Sequence, residues 1–401
     1  MRFKVRPGDF IVEEQARLPL DASGGFAVYL VEKQDVTTQH VQHHIAAQLK
    51  LRSSDVQTPA LKDKKAVAVQ HLSVRGTGPA ELEGPGYHAR FIGISRHPLR
   101  PSDLTGNRFT VTLRDLSPTE AQIIPEQLQR LAHFGLPNYF DEQRFGSYMS
   151  QPNAPDPFIG KTILRRDAEN AIRAYLSVPF AGDPAKVRAF KKVAQAHWGE
   201  WRVLMSKAPR PSNYRSVLTF LQDHPQGFRK ALNLIPRRLL SLYLVAYQSY
   251  LWNQLAAGYL THHLGAKETF PALSLVDLTL PLYRELSESQ YGTLKKASIP
   301  LPEHRASYTD PVLAQLAQNV LKAQGFELND LKARILKKAY VSKGHRALLL
   351  FPTDVTSDAP QNDVAFPGRL AIQFRFTLPR GAFATLVLKW IVWAGDVKAV
   401  P

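Results

Sequence analysis

The C-terminal part of the chain changes its hydrophobic period within a few residues, and this change restricts the possible folds most. Over residues 370–378 apolar side chains alternate strictly with small or polar ones, which is typical of a half-buried strand. After the turn Pro379-Arg380-Gly381 the apolar residues recur at helical spacing, at Phe383, Leu386, Val387, Trp390 and Ile391. The pattern predicts a strand, a turn and a helix in direct succession.

The first 115 residues contain short strand-like runs separated by Gly, Pro and Asp clusters. These runs cover residues 10–13, 26–31, 66–74 and 109–113. Between them, Thr37 or Thr38 is suited to cap a helix whose apolar stripe is Val41, Ile45 and Leu49. Strands and helices therefore mix along the chain, and we predict an α+β fold.

A long helical pattern opens at Pro236 and meets no breaker before Gly258. Its apolar stripe repeats about every four residues, and the opposite face is expected to carry Arg237, Arg238, Gln248 and Asn253. Residues 265–330 are irregular and richer in acid and proline. We interpret them as a variable insertion or subdomain without recognisable chemistry.

The chain is strongly basic, because 51 Lys and Arg face 34 Asp and Glu and leave a formal charge of +17. Residues 161–240 alone hold 16 Lys and Arg against 5 Asp and Glu. The aromatic residues Trp198, Trp201, Tyr214 and Phe228 are interleaved there with Lys191, Lys192, Arg202, Arg210 and Arg215. Such a mixture suits phosphates and unpaired bases, so nucleic acid is the leading partner class. The alternative, a solvated basic helical surface with aromatics in its core, stays open for each single residue.

Several classes of chemistry are disfavoured. The chain has no Cys, which excludes disulfides, Cys-ligated zinc, iron–sulfur clusters and thiol catalysis. His40, His43 and His44 share a predicted helix without a nearby carboxylate, so we expect no metal site. The charged N-terminus lacks the apolar core of a secretory signal, and the apolar stretches are far shorter than the roughly 20 residues that span a bilayer. We therefore expect a cytoplasmic protein without a membrane segment.

A carboxylate stands among lysines in the stretch Ala60-Leu61-Lys62-Asp63-Lys64-Lys65-Ala66-Val67-Ala68-Val69-Gln70. Taken alone, this stretch is a solvated turn before a strand. Read with other segments, it resembles the Lys-Asp-Lys-x-Ala-Val-x-x-Gln signature of the TruD family of tRNA pseudouridine synthases. Five further blocks resemble family segments in the same order, at residues 4–14, 106–109, 135–146, 248–253 and 376–385.

The resemblance implies a pseudouridine synthase catalytic fold with a mixed or antiparallel sheet. Residues 1–150 and about 335–401 would form this catalytic domain, and about 151–334 would form an inserted TruD-type α+β domain. The implied reaction isomerises a uridine of tRNA, at position 13, to pseudouridine without cofactor or metal. The chain departs from the family near the signature, where Pro59-Ala60 replaces the usual Ala-Gly and Ala68 replaces a Thr.

The resemblance also implies roles for single residues. Asp63 would be the nucleophile, attacking either the uracil ring or the ribose C1′. Lys4 would be its cationic partner, and Asn107 would bind the base edge or fix the loop. Phe109 would stack on the flipped base, although a place in the core is the alternative. The expected substrate-binding residues are Phe10, Lys62, Asn138, Gln143 and Arg144.

Two other classes of protein stay open at this stage. One is a catalytically inactive RNA-binding or tRNA-folding protein that keeps the fold and the charge. The other is an RNA methyltransferase, which the chain disfavours because no Gly-rich βα turn supplies a cofactor pocket. The expected partner in every case is RNA, here tRNA, and we expect the protein to act as a monomer.

Overall fold

We describe the chain from a computed structural model, which covers residues 1–64, 66–146, 148, 158–180, 182–265 and 270–394. Lys65 of the signature and the predicted start of the inserted domain near residue 150 lie outside the described residues. The chain divides into two compact units, unit 1 with Met1–Leu136 and Leu350–Pro401, and unit 2 with Pro137–Leu349. The functional assignment of the two predicted domains stays a prediction. None of the helices within the described ranges is both long and apolar enough to cross a bilayer.

The described elements are these. The strands are β1 Phe10–Ala16, β2 Leu20–Asp21, β3 Phe26–Lys33, β4 Val56–Gln57, β5 Val67–Arg75, β6 Glu81–Gly84, β7 Tyr87–Ser95, β8 Leu104–Leu116, β9 Leu136–Pro137, β10 Phe270–Leu275, β11 Leu278–Leu282, β12 Ser298–Pro300, β13 His345–Ala347, β14 Leu349–Leu350, β15 Thr353–Ser357, β16 Gln361–Asn362 and β17 Leu370–Pro379. The helices are α1 Thr38–Gln48, α2 Pro118–Phe134, α3 Ile159–Leu164, α4 Ala168–Ser177, α5 Ala185–Ala196, α6 Trp201–Lys207, α7 Tyr214–Asp223, α8 Phe228–Leu232, α9 Arg237–Leu264, α10 Glu288–Leu294, α11 Pro311–Ala323 and α12 Ala384–Ala394.

Unit 1 is organised by one 11-stranded sheet with the order β15-β17-β8-β1-β5-β3-β7-β2. Strands β16, β4 and β6 add to β17, β5 and β7 respectively. Strand β1 pairs with β5 in parallel and with β8 in antiparallel fashion. Helices and a mixed sheet therefore share one unit, which confirms the predicted α+β class.

Alternate residues of a strand lie on the same face of a sheet, and this brings an apolar face of β3 against α1. In β3 the residues Ala27, Tyr29 and Val31 are buried, and they pack with Val41 and Ile45 of α1. Helix α1 begins at the predicted place, since Thr37 accepts a hydrogen bond from the backbone N–H of His40. The predicted C-terminal strand and helix are also confirmed as β17 and α12.

Helix α9 forms much of the core of unit 2. The prediction that Gln248 and Asn253 lie on an outer polar face of this helix is wrong. Gln248 and Asn253 are buried, because each binds backbone groups of other segments. Asn253 accepts a hydrogen bond from Phe140 N through Oδ1 and donates one to Phe140 O through Nδ2, both at 2.9 Å. The helix also continues through Gly258 to Leu264.

Two further expectations for unit 2 need correction. Trp201 and Phe228 are buried and pack on each other with Trp198, so they serve the core rather than unpaired bases. Lys191 is also buried, 2.7 Å from Asp183 Oδ2. Residues 270–323, expected to be irregular, contain the hairpin β10–β11 and the helices α10 and α11. The sequence did carry a signal for α11, because apolar residues recur at helical spacing from Leu313 to Leu321 after the N-cap Asp310.

We predict that Asn253→Ala lowers the free energy of unfolding by about 2–4 kcal/mol, because two buried backbone groups of Phe140 lose their partner. Urea denaturation of the full chain measures this loss. Asn319→Ala is the matched control, because Asn319 is exposed on α11 and bonds only the exposed Gln315 among the contacts described. Equal losses in both variants would contradict the structural role of Asn253.

Candidate functional site

The N-terminal segment of unit 1 is anchored to β8, and this fixes the position of Lys4. Arg2 and Arg114 exchange two backbone hydrogen bonds of 2.8 Å. The Arg114 guanidinium binds Asp9 through Nε and Nη2, and its Nη1 lies 3.0 Å from Asp363 Oδ1. Since Asp9 and Asp363 are both buried, these charge-assisted contacts hold the segment strongly.

Lys4 turns back onto the sheet. Its φ of +58° lies in the left-handed region, which is unusual for a residue with a side chain and occurs often at functional sites. The Nζ atom lies 4.2 Å from the centroid of the Phe10 ring, in cation–π contact. Burial lowers the pKa of Lys4, while the negative charge of Asp63 raises it. Lys4 and Asp63 are therefore electrostatic neighbours.

The loop that carries Asp63 is held through its backbone. Lys33 Nζ donates hydrogen bonds to Asp63 O at 2.6 Å and to Val36 O at 3.0 Å. One residue earlier, Lys62 N donates to Thr38 Oγ1 at 3.1 Å. The Asp63 residue itself is exposed. The loop thus presents a carboxylate at the surface of unit 1 from a fixed main chain.

A buried ion pair holds the side chain of Lys62. Its Nζ lies 2.9 Å from Glu14 Oε1 and donates a hydrogen bond of 2.6 Å to Asn107 Oδ1. Glu14 Oε2 accepts hydrogen bonds from His71 N at 2.8 Å and binds His71 Nδ1 at 3.2 Å. Because Glu14 lies opposite Asn107 in the β1–β8 register, one lysine can bind both. The network joins β1, β5 and β8 to the Asp63 loop.

Burial alone would raise the pKa of Glu14, but its partners reverse the effect. The hydrogen bonds from His71 and the positive charge of Lys62 together place the pKa of Glu14 below its ordinary value of 4.5. The carboxylate is therefore ionised inside the unit at neutral pH. Lys62 gains a fixed counter-ion whose position is set by three strands.

Phe10 and Phe109 belong to a row of aromatic rings across the sheet. The Phe109 ring lies 5.9 Å from Phe10 and 5.3 Å, stacked, from Phe376. Phe109 is 6% exposed and Phe10 4%. The row gives Phe109 the packing of a core residue. Its stacking on a base stays a prediction.

Unit 1 therefore brings six of the expected residues to one region of its sheet, namely Lys4, Phe10, Lys62, Asp63, Asn107 and Phe109. A carboxylate that has the ammonium groups of Lys4 and Lys33 as electrostatic neighbours is chemically suited to nucleophilic attack on an electrophilic carbon.

The remaining expected residues, Asn138, Gln143 and Arg144, lie in unit 2. Asn138 is buried, donates from Nδ2 to Ala347 O at 3.0 Å and accepts at Oδ1 from Arg346 Nη2 at 2.6 Å. Gln143 is exposed, and it lines with Arg144 a cavity of about 440 Å³ whose walls include Tyr175, Tyr214 and Tyr243.

Two guanidinium groups approach the ring of Phe140 in unit 2. The Cζ atoms of Arg144 and Arg346 lie 5.4 Å and 4.2 Å from its centroid. Burial lowers the pKa of both arginines, and the charge of Arg144 lowers that of Arg346 further.

Sequence reasoning missed Lys33, Thr38, His71 and the structural role of Glu14. A signal for two of them was present. Lys33 follows Ala27, Tyr29 and Val31 at every second position, and Glu14 follows Phe10 and Val12 in the same way. A charged residue in the buried phase of an alternating strand indicates an internal partner.

Comparisons with known proteins agree with this fold. The family described as tRNA pseudouridine synthase D (TruD) matches residues 1–273. "Probable tRNA pseudouridine synthase D 1" of Methanococcus maripaludis is 26% identical over 97% of this chain and 98% of its own length. "tRNA pseudouridine synthase D" of Aquifex aeolicus is 26% identical over 100% of both chains. The crystal structure of a TruD protein from Methanosarcina mazei shares the fold, with a TM-score of 0.69 and 21% identity over 99% of this chain and 94% of that one.

An α+β chain with a carboxylate held among lysines, and a strongly basic composition, fits the class of RNA-modifying isomerases. The family match covers well over half of the chain, and the chain belongs to the TruD family of tRNA pseudouridine synthases. This confirms the resemblance seen in the sequence. Strand β17 and helix α12 lie beyond the matched residues, although the relatives align along the whole chain.

We predict that Glu14→Gln lowers the free energy of unfolding at pH 7 by about 3–5 kcal/mol, because Lys62 would keep a buried charge without its counter-ion. Folding lowers the pKa of Glu14, so its stabilisation is complete above 4.5 and is lost as the pH falls through the lower folded value. The difference between variant and wild type should therefore narrow below about pH 4 in urea titrations.

Glu126→Gln is the matched control for this prediction. Glu126 is exposed and pairs with Arg130 one helical turn away. Its loss should change the stability by less than about 0.5 kcal/mol. A pH-independent difference for Glu14→Gln would show that the ion pair is not the source of its stabilisation.

Proposed function

We propose that the protein converts the uridine at position 13 of tRNA to pseudouridine, with Asp63 as the nucleophile. The observation that carries this proposal is the exposed Asp63 on a loop whose backbone is bound by Lys33 and Thr38, beside the ammonium of Lys4. Position 13 rests on the resemblance to the family. Membership of the family supports tRNA as the substrate.

The reaction needs no external group. The carboxylate of Asp63 adds to the uracil ring or to the ribose C1′, and the N1–C1′ bond breaks. The base turns, a C5–C1′ bond forms, and the carboxylate leaves with its electron pair. The proton lost from C5 is balanced by the proton gained at N1. A carboxylate suits this sequence because it can attack an electrophilic carbon and later depart.

The lysines near Asp63 have two roles in the proposal, one electrostatic and one in positioning. Lys4 and Lys33 both lie close enough to Asp63 for its negative charge to raise their pKa values against the effect of burial. Lys62, the residue directly before Asp63, is itself fixed by its contacts with Glu14 and Asn107. The proposed nucleophile thus has two ammonium groups as electrostatic neighbours, and its main chain is held in place.

The target uridine must leave the folded RNA before it can react, which costs a few kcal/mol in unstacking. Phe109 is our candidate for offsetting this cost by stacking, with Phe10 as the neighbouring wall. Asn107 already accepts a hydrogen bond from Lys62 through Oδ1, which supports its role in fixing the loop.

For unit 2 we propose a role in RNA binding. Residues 161–240 hold 16 Lys and Arg against 5 Asp and Glu, and Gln143 and Arg144 line a cavity next to this segment. Asn138 would order the site, because its side chain is bound by Ala347 and Arg346. We propose that the protein works as a cytoplasmic monomer on tRNA and uses neither cofactor nor metal.

We predict that wild-type protein forms pseudouridine in an unmodified tRNA transcript without added cofactor or metal, and that Asp63→Ala and Asp63→Asn form none. Mapping pseudouridine at single-nucleotide resolution measures both the reaction and its position. Glu126→Gln is the control, because Glu126 is an exposed carboxylate on α2 of unit 1, outside the expected site, and should leave the rate unchanged.

Three outcomes would change this proposal. Pseudouridine at a different uridine would contradict position 13 but support the pseudouridine synthase activity. Activity in Asp63→Asn would remove Asp63 from the nucleophile's role. Tight, salt-dependent tRNA binding without product from the wild type would favour a catalytically inactive RNA-binding protein.

We predict that Phe109→Leu lowers kcat/KM by about 5–100-fold, since a base stacking contact contributes about 1–3 kcal/mol. Phe374→Leu removes a ring from the same aromatic row, 5.8 Å from Phe376, and should lower the stability with little change in kcat/KM. Steady-state kinetics on tRNA, at a temperature where both variants are folded, separates the two. Equal effects would assign Phe109 to the core alone.

A further inference from the structure

Lys33 is a fully buried lysine at the end of β3. It is 1% exposed, and burial lowers the pKa of its ammonium. Taking an ammonium out of water costs several kcal/mol unless it is well bound. An apolar residue would continue the buried series Ala27, Tyr29, Val31 without that cost. The position therefore needs an explanation beyond packing.

The contacts of Lys33 point to the Asp63 loop. Its Nζ donates to Val36 O at 3.0 Å, which ties it to the connection between β3 and α1. The same atom donates to Asp63 O at 2.6 Å. The ammonium thus joins the end of a central strand to the main chain of the proposed nucleophile itself.

Contacts with three strands hold the loop at two consecutive residues, Lys62 and Asp63. Lys62 is bound to Glu14 on β1 and Asn107 on β8, whereas Lys33 binds the carbonyl of Asp63 from β3. Two adjacent residues bound to three strands leave the loop little freedom to turn. A small misplacement of a reacting group can lower a rate by about 100-fold.

We propose that Lys33 is a positioning residue, which holds the main chain at Asp63 so that its carboxylate meets the uridine in one orientation. The inference rests on the proposed function, with Asp63 as the nucleophile. The positive charge of Lys33 is secondary in this role, because the ammonium of Lys4 is also an electrostatic neighbour of Asp63 and remains when Lys33 is replaced.

The test compares Lys33→Met and Lys33→Arg with the wild type. Met fills a similar volume without donors or charge, whereas Arg keeps both. The control is Val28→Ala, because Val28 is buried in the same strand with its side chain on the opposite face, away from the loop. This variant lowers stability without touching the Asp63 loop.

Single-turnover kinetics on the tRNA transcript gives the first measurement. We expect Lys33→Met to lower the rate of the chemical step about 100-fold while KM changes less than about threefold. Lys33→Arg should recover at least about a tenth of the wild-type rate. Val28→Ala should react at the wild-type rate under conditions where all variants are folded.

Hydrogen exchange of the free protein gives a second measurement that needs no activity. Lys33→Met should speed amide exchange at residues 61–64, and Val28→Ala should not. If Lys33→Met exchanged faster at residues 61–64 but kept the wild-type rate of the chemical step, the positioning role would be overturned. Exchange at the wild-type rate in Lys33→Met would also overturn it.

The activity of the wild type separates this role from the proposed function. An inactive wild type would overturn the proposed function and with it the role of Lys33. An active wild type with an equally active Lys33→Met would overturn the role of Lys33 alone.

Discussion

The buried ion pair between Glu14 and Lys62 is the contact on which the candidate site depends. A charge inside a protein is stable only if its partners are fixed, and here His71 fixes Glu14 while the β1–β8 register places Asn107 beside it. These contacts hold the side chain of Lys62 in place and so fix the start of the loop that carries Asp63. The N-terminal segment, anchored to β8, brings Lys4 to the same region.

Most of the site is carried by the sheet rather than by loops. Phe10 and Glu14 lie on β1, Lys33 on β3, and Asn107 and Phe109 on β8. Among the six expected residues that unit 1 brings together, Lys4, Lys62 and Asp63 lie outside the strands. Side chains on paired strands are held by many hydrogen bonds at once, so their spacing is more precise than loops allow. The one group proposed to form a covalent bond is exposed, while its supports are buried.

Much of the fold could be predicted from the sequence because period and capping are local properties. The alternation before Pro379, the helical spacing after it and the cap at Thr37 all correspond to observed elements. The burial of Gln248 and Asn253 could not be predicted, because their partners lie far away along the chain. The functions of Asp63 and Lys4 were suggested by family resemblance alone, whereas Lys33 and Glu14 carried a physical signal in the phase of their strands.

The discontinuity of unit 1 has a consequence for synthesis on the ribosome. Strand β8 lies between β1 and β17, but β17 is made only after the whole of residues 137–349. Until then β8 is a sheet edge with unpaired backbone groups, which is a template for aggregation. Unit 2 is continuous and can collapse as it emerges. The exposed edge of β8 must therefore avoid pairing with other chains while residues 137–349, more than half of the chain, are translated. We expect the speed of elongation and the access of chaperones to affect how much protein folds correctly.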